Sequence, residues 1–241
     1  MIRDQRVLAI VPARSGSKGI PDKNMSLVGG LSLIARAATV LNQIPWIDRR
    51  MLSTDSARYA EEAMRYGLDT PFLRPAPLSS DTATALDTFV HALEGCEEVD
   101  GVRYDLVVVT EPTSPLREAG DIEATVTALL ESDADSAVTV SQIDTKTHPD
   151  KVLRIESGRL RFYTEQGTTV TTRQALQPLY ARNGLCYAFK RATLLEKRAL
   201  ITVNTASVIT KRPVANIDEP LDLLWAEFLL ERSCQPTAAA R

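Results

Sequence analysis

The sequence has few cysteines, few histidines and no long hydrophobic run. Its 241 residues include 3 cysteines and 2 histidines, and no two cysteines have the CxxC spacing of a zinc or redox motif. Cys96, Cys186 and Cys234 are odd in number and widely spaced, so we interpret them as small apolar residues and not as a disulfide framework.

No apolar run approaches the ~18 residues of a membrane span. The first residues read as a short strand and not as a signal peptide. These absences predict a soluble, cytoplasmic protein with no membrane partner.

The chain also lacks an excess of either charge. It has 28 basic and 31 acidic side chains and a net charge of −3 at pH 7. Such a balance gives no long-range attraction toward nucleic acid, and we predict no nucleic-acid partner. Any site for an anionic ligand must therefore come from a local cluster of cations. Hydrophobic residues make up 44% of the chain, which is enough for one well-filled core, and we predict a single domain over residues 1–241.

Short apolar runs alternate with segments of helical periodicity. This alternation is typical of parallel strands joined by crossover helices, and it predicts an α/β fold with a mainly parallel sheet. The predicted strands are "VLAIV", "RRMLSTD", "FLRP", "YDLVVVT", "SAVTVS", "GLCYAF" and "ASVIT". Because "YDLVVVT" is the most apolar of them, we expect it at the centre of the sheet. The helix after "FLRP" is predicted to be capped by Ser80 or Asp81.

Residues 142–178 interrupt this alternation. Charged residues there flank two short β-prone pieces, "KVLRI" and "RLRFY", which predict a hairpin-like excursion and not another crossover unit. Such a small arm cannot bury its own apolar side chains. The regular alternation then resumes, and the last residues, 234–241, are predicted to be a disordered tail.

The loop after the first predicted strand is strongly basic. Arg14, Lys18 and Lys23 face a single acid, Asp22, which gives a net charge of +2 within residues 14–23. Two glycines in the loop allow the backbone to approach a ligand closely, so that a phosphate would meet both amides and cations. The loop has neither GxxxxGK[ST] nor GxGxxG. Phosphate binding and a glycine turn with solvated lysines are both compatible with the loop alone.

Other predicted strand ends carry further candidate residues. These are Arg74 in "FLRPAPLSSDT", and the segments "TEPTSPLR", "YARNGLCY" and "ANIDEPLDL". Each segment taken singly is compatible with ordinary turn or helix-start chemistry, because proline, Asn-Gly and Asp are common there. Ligands of open α/β sheets bind at the carboxyl ends of strands, so together these segments predict one binding site at that edge.

The same segments resemble a known family. "PARSGSKGIPDKN", "LRPAPLSSDTAT", "EPTSPLR", "HPDK", "RQALQPLYARNG" and "NIDEPLDL" have the order and spacing of the CMP-sialic acid synthetases, the acylneuraminate cytidylyltransferases. The resemblance extends from about residue 7 to about residue 230. It implies a Rossmann-like, three-layer sheet of the nucleotide-diphospho-sugar transferase type, with the excursion at 142–178 as the dimerisation arm of a homodimer. It also implies transfer of CMP from CTP to a sialic-acid-like nonulosonic acid, with release of pyrophosphate.

The resemblance assigns roles to individual residues. It implies that Arg14, Lys23 and Asp218 are catalytic, with Arg14 and Lys23 stabilising the departing pyrophosphate and Asp218 holding Mg²⁺ beside Asn216. The implied nucleotide-binding residues are Ala13, Arg14, Gly16, Lys18, Gly19, Lys23, Asn24, Arg74 and Ser80. The implied acceptor-binding residues are Glu111, Lys151, Arg173, Asn183 and Tyr187. Arg173 is the expected bidentate partner of a sugar carboxylate.

Two positions depart from the family pattern. Asn216 stands where the family usually has a second aspartate, and Glu111 stands where it usually has glutamine before "PTSPLR". A carboxylate beside an anionic acceptor costs affinity unless it is paired, so we hypothesise an acceptor other than N-acetylneuraminate, such as legionaminate, pseudaminate, another ulosonate or an amine-bearing phosphonate. A 3-deoxy-manno-octulosonate-like sugar, a phosphonate, and a catalytically silent homologue stay open as alternatives. The general base is not identified: His91 lies in a predicted helix and His148 in the excursion, and Asp218 and a metal-bound water stay open.

Overall fold

A computed structural model of the chain describes residues 1–170 and 172–234. Its strands are β1 (Val7–Pro12), β2 (Leu27–Val28), β3 (Leu31–Ser32), β4 (Arg49–Ser53), β5 (Leu106–Val109), β6 (Ser136–Gln142), β7 (Leu153–Glu156), β8 (Arg159–Phe162), β9 (Tyr180–Lys190) and β10 (Thr205–Ile209). Its α-helices are α1 (Leu33–Leu41), α2 (Ala57–Arg65), α3 (Ala85–Asp100), α4 (Ala119–Glu131), α5 (Arg191–Leu195) and α6 (Pro220–Cys234).

Six strands form the main sheet in the order β10-β6-β9-β5-β1-β4. All neighbouring strands are parallel except β9, which runs antiparallel to both β5 and β6. The strand β5 lies inside the sheet between β1 and β9, and its four residues are buried. This confirms the predicted central position of the most apolar strand.

Both faces of this sheet are covered by helices. Along β1, Val7, Ala9 and Val11 belong to a core cluster with residues of α1, α2 and α4. The intervening Leu8 and Ile10 belong to a second cluster with residues of α3 and α5. Because successive side chains of a strand point to opposite faces, an unbroken apolar run such as "VLAIV" requires two covering layers. The predicted three-layer α/β fold is confirmed.

Two local predictions were wrong. Residues 72–75, "FLRP", lie in a loop and do not form a strand. The helix α3 is capped by Thr84 and not by Ser80 or Asp81, because the Thr84 hydroxyl accepts a hydrogen bond from the Asp87 amide at 3.0 Å. The predicted strand "GLCYAF" is confirmed as part of β9; the chain reaches it through the excursion, without the crossover helix that a parallel neighbour needs, and it runs antiparallel.

The excursion contains the predicted hairpin. Strands β7 and β8 pair antiparallel with each other and with no strand of the main sheet. Ser157 and Gly158, at the turn between them, have φ values of 51° and 74°, which is the backbone that a two-residue hairpin turn requires. Every residue of the two strands is exposed. At the base of the hairpin, His148 Nε2 hydrogen-bonds the Gln177 carbonyl at 3.0 Å.

The remaining expectations concern the cysteines, the tail and membrane spans. Cys96 and Cys186 are buried and free, and burial raises the pKa of each thiol to about 12, so both are inert apolar residues as predicted. Helix α6 extends to Cys234, where the disordered tail was predicted to start, and residues 235–241 lie outside the described part of the chain. No helix in the described part is long and apolar enough to cross a bilayer.

Candidate active site

The basic loop leaves β1 at the carboxyl edge of the sheet and is tied to the neighbouring strand β4. The Ala13 amide donates to the Ser53 carbonyl at 2.9 Å. The amide and hydroxyl of Ser15 both donate to the Asp55 carboxylate at 2.9 Å. The buried Asn24 side chain donates across the loop to the Arg14 carbonyl at 3.1 Å. These contacts give the loop a defined shape before any ligand binds.

A cavity of about 500 Å³ opens beside this loop, and we call it the first cavity. Eight of the predicted nucleotide and metal residues line it: Arg14, Lys18, Gly19, Lys23, Asn24, Arg74, Ser80 and Asp218. Of the predicted nucleotide residues, Ala13 and Gly16 do not line it. These eight residues therefore lie together, and their roles in nucleotide and metal binding stay predictions.

The cations of the first cavity are held by carboxylates of the same chain. Asp81 accepts from Arg14 Nη1 at 2.9 Å and from Lys18 Nζ at 2.6 Å. The hydrogen bonds from Lys18 and then Arg14 lower the pKa of Asp81 below its usual value. Lys23 Nζ contacts Asp218 Oδ1 at 2.9 Å and the Ile217 carbonyl at 2.7 Å. An anionic ligand in this cavity would compete with Asp81 for the same donors.

Arg74 has hydrogen-bonding groups that the described protein does not satisfy. Its side chain is buried, with 7% exposure, and Nη1 donates to Thr88 Oγ1 at 3.3 Å. Nε and Nη2 are buried and have no hydrogen-bond partner among the described residues. Burial lowers the pKa of Arg74 below its usual value, and the nearby negative charge of Asp55 offsets only part of this shift. Buried donors without partners are costly, so this guanidinium suits a polar ligand in the first cavity.

Gly19 brings the basic loop against the segment that carries Asp218. A Cβ added at Gly19 would lie 2.4 Å from the Asp218 carbonyl oxygen, whereas a Cβ at Gly16 would meet nothing within 4 Å. Only glycine allows this close approach of two backbones. The contact places the cations of the loop and the Asp218 carboxylate on one wall.

A second cavity, of about 850 Å³, adjoins the first. Strands β6, β9 and β10 supply much of its lining, with Val138, Arg182 and Tyr187 among the lining residues. The two cavities share Ala85, Phe89 and Glu111. Burial, followed by the nearby charge of Glu111, raises the pKa of Tyr187 above its usual value. The Tyr187 hydroxyl therefore stays protonated near neutral pH.

Three predicted acceptor residues do not line either cavity of the single chain. Lys151 and Arg173 lie in the excursion. The buried Asn183 amide donates to Ser141 Oγ at 3.0 Å and Thr210 Oγ1 at 3.1 Å, and its Oδ1 accepts from the Leu185 amide. Glu111 and Tyr187 do line the second cavity as predicted.

Sequence reasoning missed two charged residues of the site. Asp81 directly follows the predicted Ser80 and was considered only as a helix cap, because its pairing with Arg14 and Lys18 joins segments that are far apart in the sequence. Arg182 precedes Asn183 on β9 and lines the second cavity. Neighbouring residues of a strand point to opposite faces, so the residue that lines the cavity depends on strand register, which the motif does not show.

The predicted metal residues lie on different cavities. Asp218 lines the first cavity with its side chain 70% exposed, and Asn216 lines the second. The described residues contain no cluster of three or more His, Cys, Asp or Glu side chains able to hold a metal ion. An ion bound mainly through phosphate oxygens, with one carboxylate, fits this donor set better than a site made by the protein alone.

The family of the chain follows from its comparison with known proteins. The family model described as cytidylyltransferase matches residues 8–229. The chain belongs to this cytidylyltransferase family. The family predicted from the motifs is thereby confirmed, and with it the enzyme class.

This cytidylyltransferase is also similar to curated relatives in sequence and to a solved structure in fold. It is 29% identical over 228 residues to a CMP-N,N'-diacetyllegionaminic acid synthase of Legionella pneumophila, with 94% of this chain and 97% of that protein aligned. It is 30% identical to an N-acylneuraminate cytidylyltransferase of Streptococcus agalactiae serotype V, over 82% of this chain and 46% of that protein. A structure of CMP:2-keto-3-deoxy-manno-octonic acid synthetase with CTP has a TM-score of 0.68 at 16% identity, covering 95% and 99% of the two chains. This last likeness establishes the fold alone.

Proposed function

We propose that this cytidylyltransferase transfers CMP from CTP to the anomeric hydroxyl of a nonulosonic acid and releases pyrophosphate. Curated relatives named for legionaminic, neuraminic and pseudaminic acids support this acceptor class. The structural observation that carries the proposal is the first cavity, where three cations line one wall and Arg74 has buried donors without partners. Such a wall suits a triphosphate, and such an arginine suits a polar base.

The cations of the first cavity have distinct roles in this reaction. The acceptor hydroxyl attacks the α-phosphorus of CTP, and negative charge develops on the leaving pyrophosphate. Arg14 and Lys18 exchange Asp81 for phosphate oxygens when the nucleotide binds. Lys23 is already positioned by Asp218 and the Ile217 carbonyl, so it stabilises the developing charge with little reorganisation. Arg74 donates to the cytosine carbonyl and helps to set base preference.

We propose that Asp218 holds Mg²⁺ together with phosphate oxygens. Its exposed carboxylate lies on the first cavity, and few carboxylates with several phosphate or water ligands are usual for this ion. When bound, Mg²⁺ would neutralise charge on the phosphates. Asn216 lines the other cavity and carries no charge, so the arrangement favours a site with Asp218 as the principal protein ligand.

The second cavity is the proposed acceptor site. Tyr187 and Arg182 supply polar groups, and Glu111 supplies a carboxylate at the junction with the first cavity. We still predict that N-acetylneuraminate is not the preferred acceptor. The reason is that Glu111 replaces the glutamine that the family usually has at this position. The roles of Lys151 and Arg173 in binding the sugar carboxylate, and the cytoplasmic location, also stay predictions.

We propose a homodimer formed through the excursion. The hairpin exposes Leu153, Ile155, Leu160 and Phe162 on the single chain, and contiguous exposed apolar side chains mark interaction sites. A double substitution, Ile155→Glu with Leu160→Glu, should convert a dimer into a monomer in sedimentation velocity. Val203→Glu, at a fully exposed apolar residue outside the hairpin, is the matched control. A wild-type protein that sediments as a monomer would refute this assembly.

A pyrophosphate-release assay tests the function. The protein is incubated with CTP, Mg²⁺ and each acid of a panel: N-acetylneuraminate, legionaminate, pseudaminate and 3-deoxy-manno-octulosonate. We expect release with a nonulosonic acid and CTP, and much less with UTP or ATP. A clear preference for 3-deoxy-manno-octulosonate would show that the acceptor is an octulosonic acid and not a nonulosonic acid. N-acetylneuraminate as the best acceptor by a wide margin would contradict the Glu111 hypothesis. No release with any acid would overturn the proposed function.

A further inference from the structure

Glu111 occupies a particular place between the two cavities. It follows β5 at the carboxyl edge of the sheet. Among the described lining residues, Asp81, Glu111 and Asp218 are the acids of the first cavity, and Glu111 is the acid of the second. Glu111 is thus the carboxylate common to both. An acceptor in one cavity and a nucleotide in the other must meet at this junction.

The surroundings of Glu111 hold its carboxylate in position without neutralising it. The Tyr187 hydroxyl is close enough to the carboxylate for the charge of Glu111 to raise its pKa, second to burial. Gly184 has φ +71°, and a Cβ there would lie 2.6 Å from Glu111 Oε2, so the bare glycine backbone leaves space for the carboxylate. Arg117 donates to the main-chain carbonyl of Glu111. No described lysine or arginine forms an ion pair with the Glu111 carboxylate.

The two histidines and the other carboxylates of the first cavity are less well placed for this junction. His148 uses Nε2 on the Gln177 carbonyl and Nδ1 on the Asp150 amide. His91 lines neither cavity and packs edge-on against Phe72. Asp81 and Asp218 line the first cavity but not the second, where the acceptor is proposed to bind.

We propose that Glu111 is the catalytic base that removes the proton from the attacking hydroxyl. This inference rests on the proposed function. The acceptor oxygen forms a bond to the α-phosphorus of CTP as its proton passes to the Glu111 carboxylate. The bond from the α-phosphorus to the bridging oxygen breaks, and its electron pair leaves with pyrophosphate. Glu111 then releases the proton to water. The bare backbone of Gly184 leaves the space that the carboxylate occupies.

This role explains why a carboxylate is useful at a site for an anionic acceptor. A glutamine of the same shape can hydrogen-bond a hydroxyl, but its amide oxygen is a far weaker base. The carboxylate costs some affinity for the acid, yet a positioned base contributes to the rate of the chemical step.

The test compares Glu111→Gln and Glu111→Ala with the wild type. We expect Glu111→Gln to lower kcat by roughly 10² to 10⁴ with every acceptor, while KM for CTP and for the acid changes little. Formate should restore part of the turnover of Glu111→Ala, and chloride at the same ionic strength should not. Glu123→Gln, at an exposed glutamate of α4, is the matched control. Thermal melting and CTP binding verify that each variant is folded.

The outcomes separate this inference from the proposed function. If the wild type releases no pyrophosphate with any acid, the proposed function fails. If the wild type is active and Glu111→Gln keeps a kcat near that of the wild type, the base is another group. A rise in KM confined to amine-bearing acids, with kcat unchanged, would make Glu111 a specificity residue and would overturn the inference. An absence of formate rescue in a folded Glu111→Ala variant would also count against it.

Discussion

The two cavities differ in how their charges are supplied. The first is lined by four cations, Arg14, Lys18, Lys23 and Arg74, and by three carboxylates, and most of these groups are already paired within the chain. The second has Arg182 as the cation and Glu111 as the carboxylate among its described lining residues, and the rest of its wall is mainly small, apolar or uncharged.

This difference indicates that the two ligands are recognised in different ways. The triphosphate side is preorganised, because carboxylates of the chain hold its cations in place before the ligand arrives. The acceptor side offers little positive charge for an acid. Lys151 and Arg173, which were predicted to bind the acceptor, lie in the excursion and line neither cavity. The acceptor side of a single chain therefore lacks the cations that its proposed ligand needs.

Among substitutions at the first cavity, removal of Lys23 should lower turnover the most. Lys23→Ala deletes a cation of the phosphate wall and leaves Asp218 without its partner at 2.9 Å. We expect kcat to fall roughly 10²- to 10³-fold, as for loss of a transition-state charge partner. Steady-state pyrophosphate release measures this change.

Lys211→Ala, at an exposed lysine outside both cavities, should leave turnover unchanged. A Lys23→Ala variant with wild-type kcat would mean that the preformed cation wall is not where the leaving group departs.

A smaller effect is expected from the contact between the basic loop and the Asp218 segment. Gly19→Ala adds a Cβ only 2.4 Å from the Asp218 carbonyl oxygen, so one backbone must move. Displacing a catalytic group by about 1 Å can cost ~10²-fold in rate, and we expect a loss of roughly 10- to 100-fold in kcat/KM for CTP.

Gly16→Ala is the matched control, since its Cβ meets nothing within 4 Å. Equal kinetics for the two alanine variants would show that the close approach at Gly19 is not needed for activity.

The same contrast explains how far the site was predictable from the sequence. The phosphate wall is built largely from one continuous loop, so the spacing of Arg14, Lys18 and Lys23 already placed their charges together. Arg74 was placed at the same edge through a predicted strand, "FLRP", that is a loop in the structure, yet it does line the first cavity. Buried runs such as "VLAIV" likewise required covering layers on both faces, and the three-layer fold followed.

The lining of the second cavity was harder to predict from the sequence, because it depends on strand direction and register. Periodicity does not show that β9 runs antiparallel, nor that Arg182 and not Asn183 lines the cavity. The pairing of Asp81 with Arg14 and Lys18 joins residues more than sixty positions apart. Such contacts depend on the path of a loop that was predicted to be the start of a helix.

Asn183 offers the smallest and most discriminating test of the acceptor wall. Its side chain joins β9 to Ser141 and Thr210 and accepts from the Leu185 amide. We expect Asn183→Ala to lower the free energy of unfolding by about 1 to 3 kcal/mol, because buried groups lose their partners. Urea denaturation measures this change, with Asn216→Ala as the control at an exposed asparagine of the second cavity. If Asn183→Ala instead raises KM for the acid at unchanged stability, Asn183 is an acceptor ligand as the family resemblance implied, and the side chain must turn toward the cavity when the acid binds.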